Sequence, residues 1–226
     1  MTSNVPQLQA LFFDLDGTLV DSEPLKAQAL SMTMKHFGMK VPKEIYKSVM
    51  GQSWEVVLKK FFGHGGKEIP ESEFNPIFRE QYRALIASEI STNADLNKWL
   101  REVKNKNIRI ALVSSGARWM VEGILKQLQL ENIFDLVVTG DDVKKHKPDP
   151  EAYLFALKAL KVHPEKALIF EDSEAGLAAA KAAGVKSIAL HHDYNQSHDF
   201  SSSLKEIHSF AEAQDLEKFL KGNFQI

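Results

Sequence analysis

The sequence contains no cysteine, which excludes disulfide bonds, thiolate metal sites and a cysteine nucleophile. No apolar run approaches the length of a membrane-spanning helix, and residues 1–9 lack the charged and then apolar segments of a secretory leader. A large excess of charge is also missing, because the formal net charge is −2. Such a balance leaves no electrostatic footprint for nucleic acid or an anionic membrane. We therefore expect a cytoplasmic monomer with no nucleic-acid and no membrane partner.

What the sequence does contain is an alternation of short β-rich runs and amphipathic helices. Hydrophobic residues make up 44% of the chain and charged residues 26%, ordinary values for a globular protein that buries a core. The alternation is typical of an α/β fold, with a parallel sheet covered by helices on both faces. Strands are predicted at 8–13, 108–113, 136–139, 167–170 and 187–190, and helices at 117–129, 150–160, 175–183 and 215–220.

The interval between the first two predicted strands is unusually long. About 90 residues separate them, whereas a standard crossover needs roughly 30 in total. The interval shows four helical patterns and no strand signal, which indicates a small helical bundle inserted into the sheet domain. These helices are predicted at 25–37, 43–49, 54–62 and 74–90. The expected organisation is a core formed by residues 1–20 and 92–226, with a helical domain at 21–91.

Two carboxylates, Asp14 and Asp16, follow the first predicted strand and precede Gly17. Residues two apart on a strand point the same way, so both carboxylates can reach one site. Close carboxylates repel each other unless a proton or a cation intervenes, and this pattern therefore predicts a divalent metal. The alternative is a hairpin turn at Asp-Gly. That turn requires a returning strand at once, but residues 23–37 have a helical pattern.

Small polar residues follow the second predicted strand, at Ser114, Ser115 and Gly116. Hydroxyls and close-packed backbone N–H groups at the start of a helix suit the oxygens of a phosphate. A serine that simply caps the helix is the alternative interpretation. The segment is therefore a candidate phosphate-binding loop.

A basic loop at residues 144–150 ends in two prolines that stiffen the entry to the next helix. They would hold Lys147 where a fixed ammonium can neutralise a phosphoryl group. Lys144 and Lys145 are neighbouring alternatives, and a solvated basic loop is another interpretation.

The fourth predicted strand leads into Glu171 and Asp172, the additional carboxylates that a metal site requires. Mg²⁺ prefers oxygen ligands and usually keeps several waters, so three or four protein oxygens are enough. The alternative is a plain helix start, in which acidic residues are favoured by the helix dipole and Ser173 is the N-cap.

The four motifs, in this order at the ends of four predicted strands, resemble the haloacid dehalogenase-like superfamily. The core is most similar to its β-phosphoglucomutase-like phosphatases, and the resemblance spans almost the whole chain. It implies a Rossmann-like, doubly wound sheet with an all-helical cap inserted after the first motif. In that family the cap opens to admit substrate and closes to exclude water.

The resemblance also implies the catalytic and metal-binding roles. Asp14 would be the nucleophile that forms an aspartyl-phosphate, and Asp16 the general acid and then the general base. Mg²⁺ would be held by a carboxylate oxygen of Asp14, the backbone carbonyl of Asp16 and the carboxylate of Asp172. Glu171 is either a fourth ligand or a partner outside the ligand set.

Phosphate binding follows from the same resemblance. Ser114 and Lys147 would hold the phosphoryl oxygens, assisted by N–H groups near Ser115 and Gly116. The family pattern places its lysine directly before a proline, which selects Lys147. Dehalogenation is disfavoured, because that chemistry works without Mg²⁺ and would not need Asp16 or the later carboxylates.

The sequence favours hydrolysis over phosphoryl transfer within one sugar. Trp54, Lys26 and Ala84 stand where β-phosphoglucomutases carry residues important to the mutase reaction. The predicted activity is therefore a Mg²⁺-dependent phosphatase acting on a small phosphate ester, specifically a sugar phosphate or a related metabolite. The alternative is a β-phosphoglucomutase-like phosphomutase.

The run from His191 to Asp193 has the residue types of a metal site. We interpret it as a polar loop, because the Mg²⁺ site is already complete elsewhere.

Overall fold

The computed structural model covers residues 5–92, 94–210 and 213–225, without the side chains of residues 94, 95 and 213–215. Residues 1–4, which belong to the N-terminal segment considered above, lie outside this range. Across the covered ranges, no helix is both long enough and apolar enough to cross a membrane.

The chain forms two compact units. The first consists of Met1–Val20 and Thr92–Ile226, and the second of Asp21–Ser91. At the point where the chain leaves and re-enters the first unit, Val20 forms an antiparallel bridge with Thr92. The hydroxyl of Thr92 also donates to the carbonyl oxygen of Leu19, at 3.1 Å. The two chain segments at which the first unit is interrupted therefore lie side by side.

The first unit is built on a six-stranded parallel sheet with the order β3-β2-β1-β4-β5-β6. This confirms the predicted Rossmann-like, doubly wound α/β fold. Chain order reverses between β1 and β4, and ligands of such sheets bind at the carboxyl ends of the strands beside that reversal. The strands are β1 (Ala10–Phe13), β2 (Arg109–Val113), β3 (Leu136–Val138), β4 (Ala167–Glu171), β5 (Lys186–Leu190) and β6 (Lys205–Ile207).

Helices connect and cover these strands and make up the second unit. In the described residues they are α1 (Glu23–His36), α2 (Trp54–Gly65), α3 (Glu71–Glu89), α4 (Ala94–Lys104), α5 (Arg118–Gln127), α6 (Glu151–Leu160), α7 (Glu174–Ala182) and α8 (Ala213–Asn223). Short 3₁₀ helices occur at Lys43–Ser48, Gly140–Asp142 and Pro164–Lys166.

An aromatic cluster anchors one face of the sheet under the strand reversal. The rings of Phe13 and Phe170, on neighbouring strands, stack with centroids 4.7 Å apart. Trp99 of α4 meets Phe13 edge-on at 6.1 Å, and Phe210 lies 5.6 Å from Phe170. Phe13 and Phe170 are fully buried. The cluster therefore fixes β1 and β4. Asp14 directly follows Phe13 of β1, and Asp172 lies two residues after Phe170 of β4.

The second unit has its own aromatic core. Phe61, Phe74 and Tyr82 are fully buried within it. The ring of Trp54 packs 4.7 Å from that of Phe78, and its indole nitrogen donates to the side-chain oxygen of Asn75 at 3.0 Å. Trp54 is thus part of the packing between α2 and α3.

Three elements differ from the sequence-based expectations. Residues 43–49 were predicted as an α-helix, but Lys43–Ser48 is a 3₁₀ helix, since a segment this short between Pro42 and Val49 does not sustain α-helical geometry. Helix α4 was not predicted, although its buried Leu96, Trp99 and Val103 follow helical spacing. Strand β6 has only three residues and carries two charges, so it leaves no strand pattern.

Replacing Phe13 by alanine should remove the centre of the aromatic cluster. We expect a loss of about 3–5 kcal/mol in the free energy of unfolding, because a buried ring is lost and a cavity remains. Phe155→Ala is the matched control, since the Phe155 side chain is 45% exposed and should cost less than about 0.5 kcal/mol. Urea unfolding followed by circular dichroism compares the two, and equal losses would contradict the proposed role of the cluster.

Candidate active site

The motif residues meet at the carboxyl edge of the sheet. Strand β1 lies between β2 and β4, with Phe13 in register with Leu112 on one side and Phe170 on the other. The backbone N–H of Asp14 donates to the carbonyl oxygen of Phe170 at 3.0 Å, so the β1–β4 pairing continues to the first carboxylate. Asp14 is 7% exposed.

Lys147 links the ends of three strands. Its ammonium donates to Asp14 Oδ1 at 2.6 Å, to Glu171 Oε1 at 2.5 Å and to the carbonyl oxygen of Val113 at 3.0 Å. It also lies 5.0 Å from the centre of the Tyr153 ring. Because an ammonium has three protons, these acceptors match its full donor capacity.

The neighbouring lysines are placed differently. Lys144 and Lys145 are exposed, and their backbone N–H groups donate to the carboxylate of Glu151. The ammonium of Lys145 pairs with Asp149 at 3.5 Å. Of the three lysines in this loop, Lys147 is the one that these contacts bring to Asp14.

Glu171 is completely buried, and its oxygens accept from several donors. Oε1 accepts from Lys147 and from the hydroxyl of Tyr153, the latter at 2.8 Å. Oε2 accepts from the backbone N–H groups of Asp172 and Ser173 and from the Ser173 hydroxyl. A carboxylate has about four lone-pair sites. With five donors already present, the geometry favours Glu171 as a partner outside the ligand set over direct ligation of a metal.

A glycine allows α7 to begin directly over this carboxylate. A Cβ atom at Gly176 would lie 1.9 Å from the carboxyl carbon of Glu171. Ser173 caps the helix, accepting from the Gly176 N–H at 3.1 Å. The helix start therefore does occur here, as the plain structural interpretation of this motif expected, and it occurs together with the carboxylate cluster.

Asp172 is 3% exposed and is held at both carboxylate oxygens. His192 Nε2 lies 2.9 Å from Oδ2, and the hydroxyl of Thr18 donates to Oδ1 at 3.4 Å. The contact with His192 was missed by sequence reasoning, which assigned this histidine to a polar loop. The available signal was its position two residues after β5, because β5 neighbours β4 and both strands end at the same edge.

Asp16 and the loop after β2 lie on the other side of Asp14. The carboxylate of Asp16 is 3.5 Å from the place where a Cβ atom of Gly116 would stand. The Ser114 hydroxyl oxygen accepts from the Gly116 N–H at 2.9 Å, and Ser114 is 2% exposed. Ser115 is exposed in the same loop. Through Gly116, the predicted phosphate-binding loop after β2 thus approaches Asp16.

The buried charged groups shift one another's pKa values. Burial raises the pKa of the Asp14 carboxyl well above its usual value; Lys147 opposes the rise, and the charges of Glu171, Asp172 and Asp16 add to it. Burial acts to lower the pKa of Lys147, but the carboxylates of Asp14 and Glu171 outweigh it and keep that pKa well above its usual value. The site therefore carries more negative charge than its one ammonium compensates.

Tyr153 stays a hydrogen-bond donor in these surroundings. Burial and the charge of Glu171 raise the pKa of its hydroxyl well above the usual value, although Lys147 opposes them. The neutral hydroxyl therefore donates to Glu171, which in turn accepts from Lys147.

An oxygen-rich site with uncompensated negative charge fits Mg²⁺, which takes oxygen ligands in octahedral geometry. The carboxylates of Asp14 and Asp172 are buried and close enough for the charge of one to raise the pKa of the other. In the described part of the chain, no group of three or more acidic, histidine or cysteine side chains is arranged to hold a metal ion by itself. A metal here would therefore need a backbone oxygen and water molecules as further ligands. The carbonyl of Asp16 is the backbone oxygen expected from the sequence.

Comparisons with known proteins agree with this fold. The family model described as haloacid dehalogenase-like hydrolase matches residues 11–190. A phosphorylated carbohydrates phosphatase of Thermotoga maritima is 34% identical over 187 residues, which cover 80% of this chain and 84% of the relative. A phosphoglycolate phosphatase of Colwellia psychrerythraea is 29% identical over 200 residues, covering 85% and 88% of the two chains.

A solved structure is similar over the same extent. The crystal structure of CbbY from Rhodobacter sphaeroides in complex with phosphate has a TM-score of 0.83 and 30% identity, covering 91% of this chain and 96% of that one. The chain therefore belongs to the haloacid dehalogenase-like hydrolase family. It is an enzyme of the phosphatase group within that family.

Gly176→Ala should destabilise the protein, because the new Cβ atom would collide with a carboxylate that five hydrogen bonds hold in place. We expect a loss of about 2 kcal/mol or more in the free energy of unfolding. Gly123 of α5 is the matched control: a Cβ atom there meets nothing within 4 Å, so Gly123→Ala should stabilise by about 0.5–1 kcal/mol. Urea unfolding distinguishes them. A Gly176→Ala protein as stable as the wild type would contradict the close packing of the Glu171 carboxylate against Gly176.

Proposed function

We propose that the protein is a Mg²⁺-dependent phosphatase that hydrolyses a small phosphorylated metabolite, of the sugar phosphate class, through an aspartyl-phosphate. The observation that carries this proposal is the buried ammonium of Lys147, 2.6 Å from Asp14 at the carboxyl edge of the sheet. A fixed cation beside a carboxylate suits the transfer of a phosphoryl group to that carboxylate. The phosphatase names of the relatives and the phosphate complex of CbbY support the same substrate class.

Asp14 is the nucleophile in this proposal. One of its carboxylate oxygens attacks phosphorus, and the bond from phosphorus to the ester oxygen breaks. Asp16 donates a proton to the departing alcohol. In the second half, Asp16 takes a proton from water, whose oxygen attacks the aspartyl-phosphate and restores Asp14. One difficult displacement is thereby divided into two easier ones.

The phosphoryl oxygens are held by the loop after β2 and by Lys147. Ser114 supplies a hydroxyl, and the backbone N–H groups near Ser115 and Gly116 supply further donors. Glu171 and Tyr153 act indirectly by keeping the ammonium next to Asp14. Catalysis of phosphoryl transfer consists mainly of such positioning and charge compensation.

The residues that would hold Mg²⁺ are Asp14 and Asp172 through their carboxylates and Asp16 through its backbone carbonyl. When bound, the ion would supply positive charge that reduces the repulsion between the phosphate and the Asp14 carboxylate. Glu171 is assigned to Lys147 and is not counted among the ligands.

The helical unit at 21–91 is proposed to be the cap that selects the leaving group and excludes water. Its residues at the mutase positions support hydrolysis. The Trp54 ring is packed on Phe78, and Lys26 forms an ion pair with Glu23 at 3.3 Å. Ala84 offers no charge to a second phosphate. Of these three side chains Lys26 is the one cation, and its charge is paired with Glu23.

Asp14→Asn should abolish turnover while the fold is retained, because an amide is a very poor nucleophile. We expect kcat to fall by about 10³-fold or more, measured as release of inorganic phosphate from a panel of phosphorylated metabolites with Mg²⁺. Asp199→Asn is the matched control, since that aspartate is exposed and accepts from the backbone N–H of nearby Ser201. Substantial activity in a folded Asp14→Asn protein would exclude the assignment.

A second prediction separates hydrolysis from the phosphomutase alternative. The enzyme is incubated with Mg²⁺ and β-glucose 1-phosphate, without a bisphosphate activator. We expect it to release free phosphate and glucose. A mutase would instead return the phosphoryl group to the sugar. Free phosphate and glucose 6-phosphate are measured in the same reaction. Rapid conversion to glucose 6-phosphate with little free phosphate would overturn the phosphatase assignment in favour of the mutase.

A further inference from the structure

We propose that His192 is a positioning residue that holds the Asp172 carboxylate in the orientation needed to bind a divalent cation. The proposal rests on the proposed function, and it adds a residue from outside the four motifs. His192 lies beyond residues 11–190, the range that the family model matches.

The contact itself is direct and largely buried. His192 Nε2 and Asp172 Oδ2 are 2.9 Å apart, and their side chains are 20% and 5% exposed. Hydrogen bonds to metal-binding carboxylates orient them and are worth about 10- to 100-fold in metal affinity or activity. The imidazole therefore contacts one of the proposed ligands directly.

The hydrogen bonds determine which ring nitrogen carries the proton. His192 Nδ1 accepts from the backbone N–H of Tyr194 at 3.1 Å, so Nδ1 is unprotonated. Nε2 therefore carries the hydrogen and donates it to Asp172. A neutral imidazole orients the carboxylate without neutralising it, and the negative charge is kept for a cation.

The loop that carries His192 is fastened to Asp172 a second time. Asn195 is 1% exposed. Its side-chain nitrogen donates to the carbonyl oxygens of Asp172 and Leu190, at 2.9 and 2.8 Å, while its side-chain oxygen accepts from the backbone N–H of His192 at 2.9 Å. One buried amide thus sets the distance between the backbone of Asp172 and that of His192, which makes the imidazole a fixed donor.

The first motif is shaped around this pair. A Cβ atom at Gly17 would lie 2.3 Å from Asp172 Oδ2 and 2.7 Å from His192 Nε2, and Gly17 has φ +79°. The glycine that follows Asp16 therefore provides both the left-handed turn and the space for the Asp172–His192 contact. This close approach links the loop after β5 to the turn that follows the proposed nucleophile.

The test measures Mg²⁺ affinity of the substrate-free, full-length protein by isothermal titration calorimetry after chelator treatment. His192→Ala and His192→Leu lack the donor, whereas His192→Gln keeps an N–H group near the position of Nε2. His191→Ala is the matched control, because His191 pairs with Glu206 at 2.6 Å and its ring stacks on His208 at 4.8 Å. Thermal unfolding without metal establishes that each protein is folded.

We expect the Kd for Mg²⁺ to rise by about 10- to 100-fold in His192→Ala and His192→Leu, and by no more than about threefold in His192→Gln. His191→Ala should bind as the wild type does. In phosphate-release assays, the donor-free variants should need more Mg²⁺ yet approach the wild-type kcat when Mg²⁺ is saturating.

Wild-type affinity in a folded donor-free variant would overturn the proposal, as would an equal loss in His191→Ala. A wild-type protein that binds no Mg²⁺ would contradict both the proposal and the proposed cofactor. If the wild type binds Mg²⁺ but releases phosphate from no ester, the proposed function fails by itself. The ratio of Kd values then still decides the role of His192.

Discussion

The structure of the site depends on the compensation of buried negative charge at the carboxyl edge of the sheet. Asp14, Glu171 and Asp172 are all less than 10% exposed, and isolated carboxylates at such depth are costly. Lys147 offsets part of this cost by bonding to two of them. Burial, and after it the repulsion from the neighbouring carboxylates, raises the pKa of Asp14, and a further cation would relieve this cost.

The parallel sheet brings these charges together although they lie far apart in the sequence. In a parallel sheet every strand ends at the same edge, so residues far apart in sequence meet there. The stacked rings of Phe13 and Phe170 fix the two central strands just below the carboxylates. Asp14, Ser114 and Asp172 each directly follow a strand end, so the sheet specifies their direction of approach. Lys147 reaches them from a longer loop, nine residues after the end of β3.

The four motifs could be predicted from the sequence because each depends on local pattern. Strand hydrophobicity located the edge, and the residues that follow β1, β2 and β4 supplied the chemistry. The inserted unit was predicted because the interval was too long for one crossover. Helix α4, at the end of that same interval, was missed although its buried residues follow helical spacing, and β6 was missed because three residues carry no periodicity.

The role of Glu171 and the contact of His192 could not be obtained in the same way. Whether a buried carboxylate faces a metal or a lysine depends on how many donors surround it. Those donors come from the loop before α6, from α6 itself and from the two residues before α7. The interaction of His192 with Asp172 depends on the loop after β5, whose conformation is set by the buried amide of Asn195. Contacts of this kind arise from tertiary packing, and no regular spacing in the sequence indicates them.

The central claim is that a phosphoryl group is transferred to Asp14. The most direct test is to react the enzyme with a substrate labelled in its phosphoryl group, quench rapidly with acid, and map the label on proteolytic peptides by mass spectrometry. We expect an acyl-phosphate on the peptide that contains Asp14, formed during turnover and absent from Asp14→Asn. A turning-over enzyme that never carries label, or carries it on another residue, would contradict the account.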